Sequence, residues 1–429
     1  MKIRKLSELL GSKSLYARQV ASLASGNVIA AVLPFIFQPI IARLYTPRDF
    51  SILGWFMSFV SILSVFATGK YELAIILPKT DNEAKNISFL SFILTIFFSI
   101  LVIILSVFFY DYVASYLKTD EIFWIFIVGP GILFYCIYQI FFYLANRYSL
   151  YKSMAISKIN QNGGMIIFQL VYGLLGAGSI GLIFGRVFGY MISTVVLGWL
   201  VLRYSPVKRS EISWPSMSFL GKSYINFPKH LIISNFIASV YTQLPFIFIA
   251  RQYDPDTSGQ FAFALQMITV PGLLIANAIG DVFRQKASDL YKETGRFDKL
   301  LIYTAKNCFL LSVIPYAVLI MFSVPIFKLI FGGNWELAGK FASILSIMAF
   351  IGFFITPIDK AAIVVNKTGF EFWYHISRFI ANILIVLVAF LFSLTVFTYL
   401  YLLVIVTALH YLADLVFSYK YSLASGSNG

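Results

Sequence analysis

Ile41-Ala42-Arg43-Leu44-Tyr45-Thr46-Pro47 returns half a chain later as Ile249-Ala250-Arg251-Gln252-Tyr253-Asp254-Pro255. Each copy closes a long apolar run and is followed by a small residue, Ser51 or Gly259, at the head of another such run. The correspondence extends to Gly69-Lys70-Tyr71 in the first half and Gly280-Asp281-Val282 in the second, each leading into a charged stretch. A repeat this long is no solenoid unit; it suits a duplicated helical bundle.

Composition places that bundle in a membrane. The chain is 59% hydrophobic and 12% charged, where a soluble domain carries roughly 25% charged residues. Its 44 phenylalanines and 26 tyrosines exceed the needs of one globular core and suit lipid-facing surfaces and interfacial belts. Apolar stretches of ~20 residues, enough to cross the hydrocarbon, recur throughout. They predict an all-α polytopic membrane protein with twelve spans. The first half holds 21–43, 51–70, 87–110, 122–145, 157–176 and 179–202; the second holds 230–250, 259–282, 302–330, 338–358, 372–394 and 397–419. Ser393-Leu394-Thr395 is the only turn-like break between the last two, and Gly176-Ala177-Gly178 separates the fifth from the sixth.

Putting both termini in the cytoplasm assigns most of the 33 lysines and arginines to that side, as the positive-inside rule requires. Arg43, Arg48, Lys118, Arg251, Lys328 and Lys340 fall outside, and Arg186 and Arg378 fall within spans. The net charge of +14 therefore records topology, and no nucleic-acid partner is needed to explain it. Ile3, Leu6, Leu9 and Leu10 share one helical face among basic residues, which predicts an interfacial helix over 1–20. No small-residue cleavage site follows, so a removable signal peptide is not expected. Cys136 and Cys308 lie in separate apolar runs and imply neither a disulfide nor a metal site.

Six spans per half is an even number, so the second half enters in the same orientation as the first. The halves are then parallel repeats about a pseudo-two-fold axis along the membrane normal, with a central cleft between two six-helix lobes. The expected boundaries are 21–203 for the N-lobe, 204–229 for a cytoplasmic linker rich in proline and charge, 230–420 for the C-lobe and 421–429 for a flexible tail. Lobes of this kind can alternate their opening by rocking, the logic of a secondary transporter. No P-loop or nucleotide fingerprint appears. No outside loop is long enough for the catalytic region expected of a membrane polymerase.

Several fragments resemble one family in order and spacing. They are Tyr224-Ile225-Asn226-Phe227-Pro228-Lys229, Leu244-Pro245, Ile249-Ala250-Arg251, Gly259-Gln260-Phe261-Ala262, Val270-Pro271-Gly272, Val282-Phe283-Arg284 and Phe327-Lys328-Leu329-Ile330-Phe331-Gly332 with Trp335-Glu336. The pattern is similar to the polysaccharide-biosynthesis flippases of the Wzx type (O-antigen and capsule translocases), within the multidrug/oligosaccharidyl-lipid/polysaccharide exporter superfamily. The resemblance implies an undecaprenyl-pyrophosphate-linked oligosaccharide as substrate, moved from the cytoplasmic to the periplasmic leaflet of a bacterial inner membrane. It implies no enzyme activity and no cofactor beyond H+ or Na+ as coupling ion. It also implies a monomer working beside a polysaccharide polymerase and glycosyltransferases. The rivals are a cation-coupled multidrug exporter of the same fold and a membrane polymerase or assembly partner.

A lipid pyrophosphate needs cations along a low-dielectric route, and arginine meets phosphate oxygens with a planar fork. The substrate-binding candidates are therefore Arg43, Lys70, Arg147, Arg251, Arg284 and Arg378, and the ion-coupling candidates are Glu72 and Asp281. Arg43 and Arg251 are either symmetric contacts at a periplasmic mouth or snorkelling anchors. Lys70 with Glu72 and Asp281 with Arg284 end spans two and eight and form either a cytoplasmic mouth or plain interfacial pairs. Arg147 ends span four. Arg378 shares a face with His375 and Asn382, and reflecting the last hairpin sets it level with Asp414 as a buried pair. The same reflection sets Arg186 opposite Gln169. Gln38, Gln243 and Gln266 join helices or meet sugar hydroxyls. Pro34, Pro245 and Pro271 mark kinks.

Overall fold

A backbone crossing hydrocarbon must satisfy its own N–H and C=O groups, which leaves helices or closed barrels. The computed structural model describes residues 29–117, 122–359, 361–365 and 367–423, and among these it contains helices and no strand. In order they are α1 (Ile29–Leu44), α2 (Pro47–Ala67), α3 (Asp81–Phe108), α4 (Tyr110–Leu117), α5 (Ile125–Arg147), α6 (Tyr151–Leu174), α7 (Ser179–Tyr204) and α8 (Trp214–Ser223). Then follow α9 (Ile232–Gln252), α10 (Pro255–Thr294), α11 (Asp298–Phe331), α12 (Glu336–Ile355), the short α13 (Ala361–Val364), α14 (Thr368–Leu391) and α15 (Val396–Ser422). The expected interfacial helix over 1–20 lies outside the described residues, as do 21–28 of the first expected span and 424–429 of the expected tail.

Among the described residues ten helices are long and apolar enough to cross a membrane, against the twelve spans expected. The expected first span, described only from Ile29, is a shorter apolar helix. The expected fifth span falls short for another reason: α6 begins at Tyr151 and carries Lys152, Lys158, Asn160, Gln161 and Asn162 along its first half. Between spans three and four, where a loop was expected, α4 adds two more helical turns. The expected 204–229 linker likewise holds α8, capped by the Ser213 hydroxyl, which accepts from the Ser216 N–H at 3.3 Å.

The chain divides into two compact units, Met1–Tyr45 with Trp55–Ser239, and Thr46–Gly54 with Val240–Gly429. In the first, α6 packs along α7, and α5 packs between α3 and α7. The interior of α3 inverts the soluble pattern. Ser88, Ser91, Thr95 and Ser99 are buried along one stripe, whereas Phe97 and Phe108 are 67% and 79% exposed. Ser88, Ser91 and Thr95 return their hydroxyls to carbonyls one turn back, at 2.8 to 3.0 Å. Small side chains permit close helix packing while the bulky ones face lipid, as a membrane span requires.

At the foot of this unit a latch fixes α3 to the segment before α8. Lys85 Nζ donates to the Pro206 carbonyl and to Glu211 Oε2, both at 2.9 Å, while Asn86 donates to the Glu211 carbonyl and accepts from the Ser213 N–H. The Lys85 ammonium, aided by the Lys208 N–H, holds the Glu211 carboxyl below its usual pKa. The latch is therefore intact at neutral pH and loosens only as the pH falls through that lowered value.

In the second unit α12 is central, packed on α10, α11 and α15, with α14 against α15. The turn between the last two falls at the expected break, with Ser393 at φ 48°. Here the repeated phrase acquires its meaning. Thr46 and Asp254 precede Pro47 and Pro255 at the starts of α2 and α10, the N-cap and first-turn positions that these residue types favour. Asp254 accepts from the Thr257 N–H at 2.8 Å; burial raises its carboxyl pKa, but these hydrogen bonds outweigh that and hold it low. The two tyrosines do matching work: Tyr45 donates to the Gln169 carbonyl at 2.6 Å and Tyr253 to the Leu394 carbonyl at 2.7 Å.

The small residues after each copy meet. Ser51 and Ser258 share a 2.6 Å hydroxyl contact, and a Cβ on Gly259 would collide with the Pro47 carbonyl. Beside them Phe50 stands edge-on to Phe263 and Trp335, both at 5.2 Å. Gly259→Ala is accordingly expected to destabilise the protein by about 1–3 kcal/mol, because backbone must move. A lowered thermal midpoint in detergent, with Gly333→Ala (open space) unchanged, is the outcome to look for.

Candidate functional site

The first unit places an acid in the connection between α2 and α3. After α2 the chain reverses through Gly69 and Lys70, both at φ 61°, a conformation a lysine rarely adopts. It then forms a 3-10 turn, Tyr71–Ile76, before α3. Glu72 lies in this turn at 6% exposure. Its Oε1 is 3.9 Å from Lys70 Nζ, too long for a hydrogen bond, and its Oε2 has no hydrogen-bond partner among the described residues. A buried carboxylate oxygen left without a donor is unusual, and it marks Glu72 as a candidate site residue. Of the eight candidates, Lys70 and Glu72 are thus brought together.

Arg147 holds this turn in place. From the last position of α5 its Nη1 donates to the carbonyls of Pro78, Ile76 and Ile75 at 2.8, 3.3 and 3.4 Å, and its Nε to Asp81 at 3.0 Å. On the far side the Tyr71 hydroxyl donates to the Gly221 carbonyl of α8 at 2.9 Å. The irregular backbone that presents Glu72 therefore has its carbonyls satisfied by a guanidinium instead of by a helix.

Asp281 and Arg284 pair at 2.7 Å, both exposed. They were expected to end the eighth span. Instead α10 continues unbroken over 40 residues to Thr294, so the pair sits on an uninterrupted helical surface. The physical difference lies in the glycines: Gly69 takes φ 61° and breaks its helix, whereas Gly280 stays helical. An exposed i,i+3 pair of this kind contributes ~0–1 kcal/mol. Arg43 and Arg251 occupy matching places, one residue before the ends of α1 and α9, and both are exposed.

Arg378, midway along α14, is enclosed by aromatic faces. Its guanidinium carbon lies 5.5 Å from the ring of Tyr241, 5.8 Å from Tyr374 and 5.4 Å from Tyr411. Asn382 donates to its carbonyl at 2.8 Å, and His375 stacks on Tyr241 at 6.5 Å. The expected partner Asp414 is not the group that holds it. Asp414 accepts from Ser418 at 3.4 Å, and among the described residues no carboxylate pairs with Arg378. Ring quadrupoles replace the anion, which leaves the positive charge uncancelled.

The expected Arg186–Gln169 contact is also not made: Gln169 donates to the Leu182 carbonyl at 3.3 Å, and Arg186 Nε is buried without a partner among the described residues. The sequence reading missed the tyrosine box. Tyr374 was within reach of it, four residues before Arg378 on the same face; Tyr241 comes from a distant helix, and only the fold brings it in. It also missed Lys158, which lies over the Phe142 ring at 5.7 Å.

The chain belongs to the polysaccharide biosynthesis protein family, whose pattern matches residues 40–340. No curated protein matches it in sequence. Its fold is shared with solved transporters of the multidrug/oligosaccharidyl-lipid/polysaccharide superfamily. The lipid II flippase MurJ in an inward closed conformation aligns with a TM-score of 0.70 at 15% identity, over 93% of this chain and 87% of that one. An inward-facing multidrug resistance MATE family transporter aligns at 0.65 and 14%, over 93% and 96%. The Vibrio cholerae MATE transporter VcmN aligns at 0.61 and 12%, over 97% and 99%.

The clamp predicts a separation of roles. Arg147→Ala should lower stability by about 1–3 kcal/mol, through loss of charge-assisted bonds to part-buried carbonyls, and Arg147→Lys should recover little of it. Thermal unfolding and membrane abundance of the two variants check this; a fully stable Arg147→Ala would refute the clamp.

Proposed function

We propose that the protein flips an undecaprenyl-pyrophosphate-linked oligosaccharide from the cytoplasmic to the periplasmic leaflet by alternating access, coupled to a proton or sodium gradient. The fold alone does not choose a cargo, since its structural relatives include a lipid II flippase and multidrug transporters. Family membership favours the glycan. The observation that carries the reading is Arg378: an arginine boxed by three tyrosine rings with no carboxylate among the described residues. A cationic drug would meet like charge there, whereas a diphosphate supplies the missing anion and can accept from guanidinium and phenol alike. Glu72 is the coupling group in this scheme, with Lys70 beside it. Asp281, Arg284, Arg43 and Arg251 serve as surface cations and pairs that guide the lipid headgroup. On this reading the chain spans a bacterial inner membrane twelve times, with both termini in the cytoplasm, and works beside a polymerase and glycosyltransferases.

Purified protein in liposomes should translocate a prenyl-pyrophosphate oligosaccharide. Arg378→Gln should cut the rate by about tenfold to a hundredfold, the worth of one charge-assisted phosphate contact, with Arg378→Lys intermediate. Glu72→Gln should leave downhill flipping in place and abolish its response to an imposed ion gradient. Unaltered glycan flipping by Arg378→Gln would sink the proposal, as would export of lipophilic cations in place of the glycan.

A further inference from the structure

At one end of the second unit the start of α11 and the end of α15 are tied together: the Phe297 N–H donates to the Ser422 carbonyl at 3.0 Å. Just inside this seam lies an open groove of 590 Å³, walled by α11 and α15 and floored by Phe354 of α12. Its lining is apolar, with Ile302, Phe309 and Val416 exposed along it, except for two lysines, Lys306 and Lys420. Lys420 lies over the Phe417 ring at 5.7 Å, and neither lysine has a carboxylate partner among the described residues.

The depth of these charges is set by the sequence. No charged residue separates Lys306 from Lys328 along α11, and that interval is the length that crosses a hydrocarbon core. Lys306 therefore stands where hydrocarbon gives way to headgroups. Lys420, at the end of the antiparallel α15, stands at the same face. An apolar trough descending from two unpaired ammonium groups matches one kind of molecule: a hydrocarbon chain below an anionic head.

We propose that this groove is a binding site for an anionic glycerophospholipid of the surrounding bilayer, with an acyl chain along Ile302, Phe309 and Val416 and the phosphate on Lys306 and Lys420. The size favours this occupant. The groove has the volume of a single drug-sized ligand, which suits acyl chains, whereas an undecaprenyl tail is several times longer and overruns it. A lipid held here would reinforce the α11–α15 seam, independently of which cargo the protein carries.

Native mass spectrometry of the full-length protein, titrated in neutral detergent with dioleoyl phosphatidylglycerol or dioleoyl phosphatidylcholine, tests this directly. The anionic lipid should bind about tenfold to thirtyfold more tightly, the contribution of two interfacial lysines. Lys306→Gln combined with Lys420→Gln should erase that preference at unchanged thermal stability of the lipid-free protein. Ala305→Leu, which fills the trough, should weaken both lipids alike. Equal affinities in the wild type, or a preference surviving the double substitution, would overturn the assignment. So would undecaprenyl phosphate displacing phosphatidylglycerol at equal concentration, since the groove would then hold the prenyl carrier.

Discussion

Hydrocarbon offers no hydrogen bonds, and most of what is distinctive in this protein follows from that constraint. It makes the described chain helical, turns the serines and threonines of α3 back onto their own carbonyls, and pushes phenylalanines outward. It also explains why the irregular stretch from Gly69 to Pro78 is so heavily tied. Where helix gives way, Arg147 supplies donors to three carbonyls that would otherwise be orphaned. The irregularity is tolerated because it is satisfied, and it places Glu72 where a regular helix would not.

The same constraint governs charge. Lys85, Arg147 and Lys328 have acidic partners, Glu211, Asp81 and Glu336. Glu72 is only half-satisfied, and Arg378 has rings where a carboxylate would be expected. Both departures lie inside the bundle, where leaving a charge uncompensated is most costly. These arrangements are unfavourable in isolation and are held by a scaffold that is otherwise well satisfied. The fully paired Asp281–Arg284, exposed on α10, lacks that character despite its similar sequence context.

The repeated phrase has a physical counterpart at both copies. Cap, proline and tyrosine perform matching local tasks: starting a helix and anchoring to a carbonyl of α6 in one copy and of the turn after α14 in the other. The halves then diverge one span later. Gly69 and Lys70 turn left-handed and end their helix, while Gly280 and Asp281 continue theirs. Local sequence similarity therefore preserved the rule at helix starts, where capping is a near-neighbour effect, and not at helix ends, where packing decides.

Membrane class, helical architecture, repeat and family were legible in the sequence because they rest on composition, period and short-range chemistry. Apolar length fixes what can span, and capping residues fix where helices begin. Boundaries set by polarity alone were less secure: α6 begins earlier and is more polar than a span was expected to be, and the segment read as a linker carries α8. The partners of the buried charges were decided only by tertiary structure. Reflection of a hairpin predicted Asp414 for Arg378 and Gln169 for Arg186, yet the rotation of each helix about its axis chose otherwise. Tyr241, far away in the chain, completes the box around Arg378. A hairpin's turn specifies which residues share a level, but not which face each helix presents; that is settled by the packing of every neighbour at once.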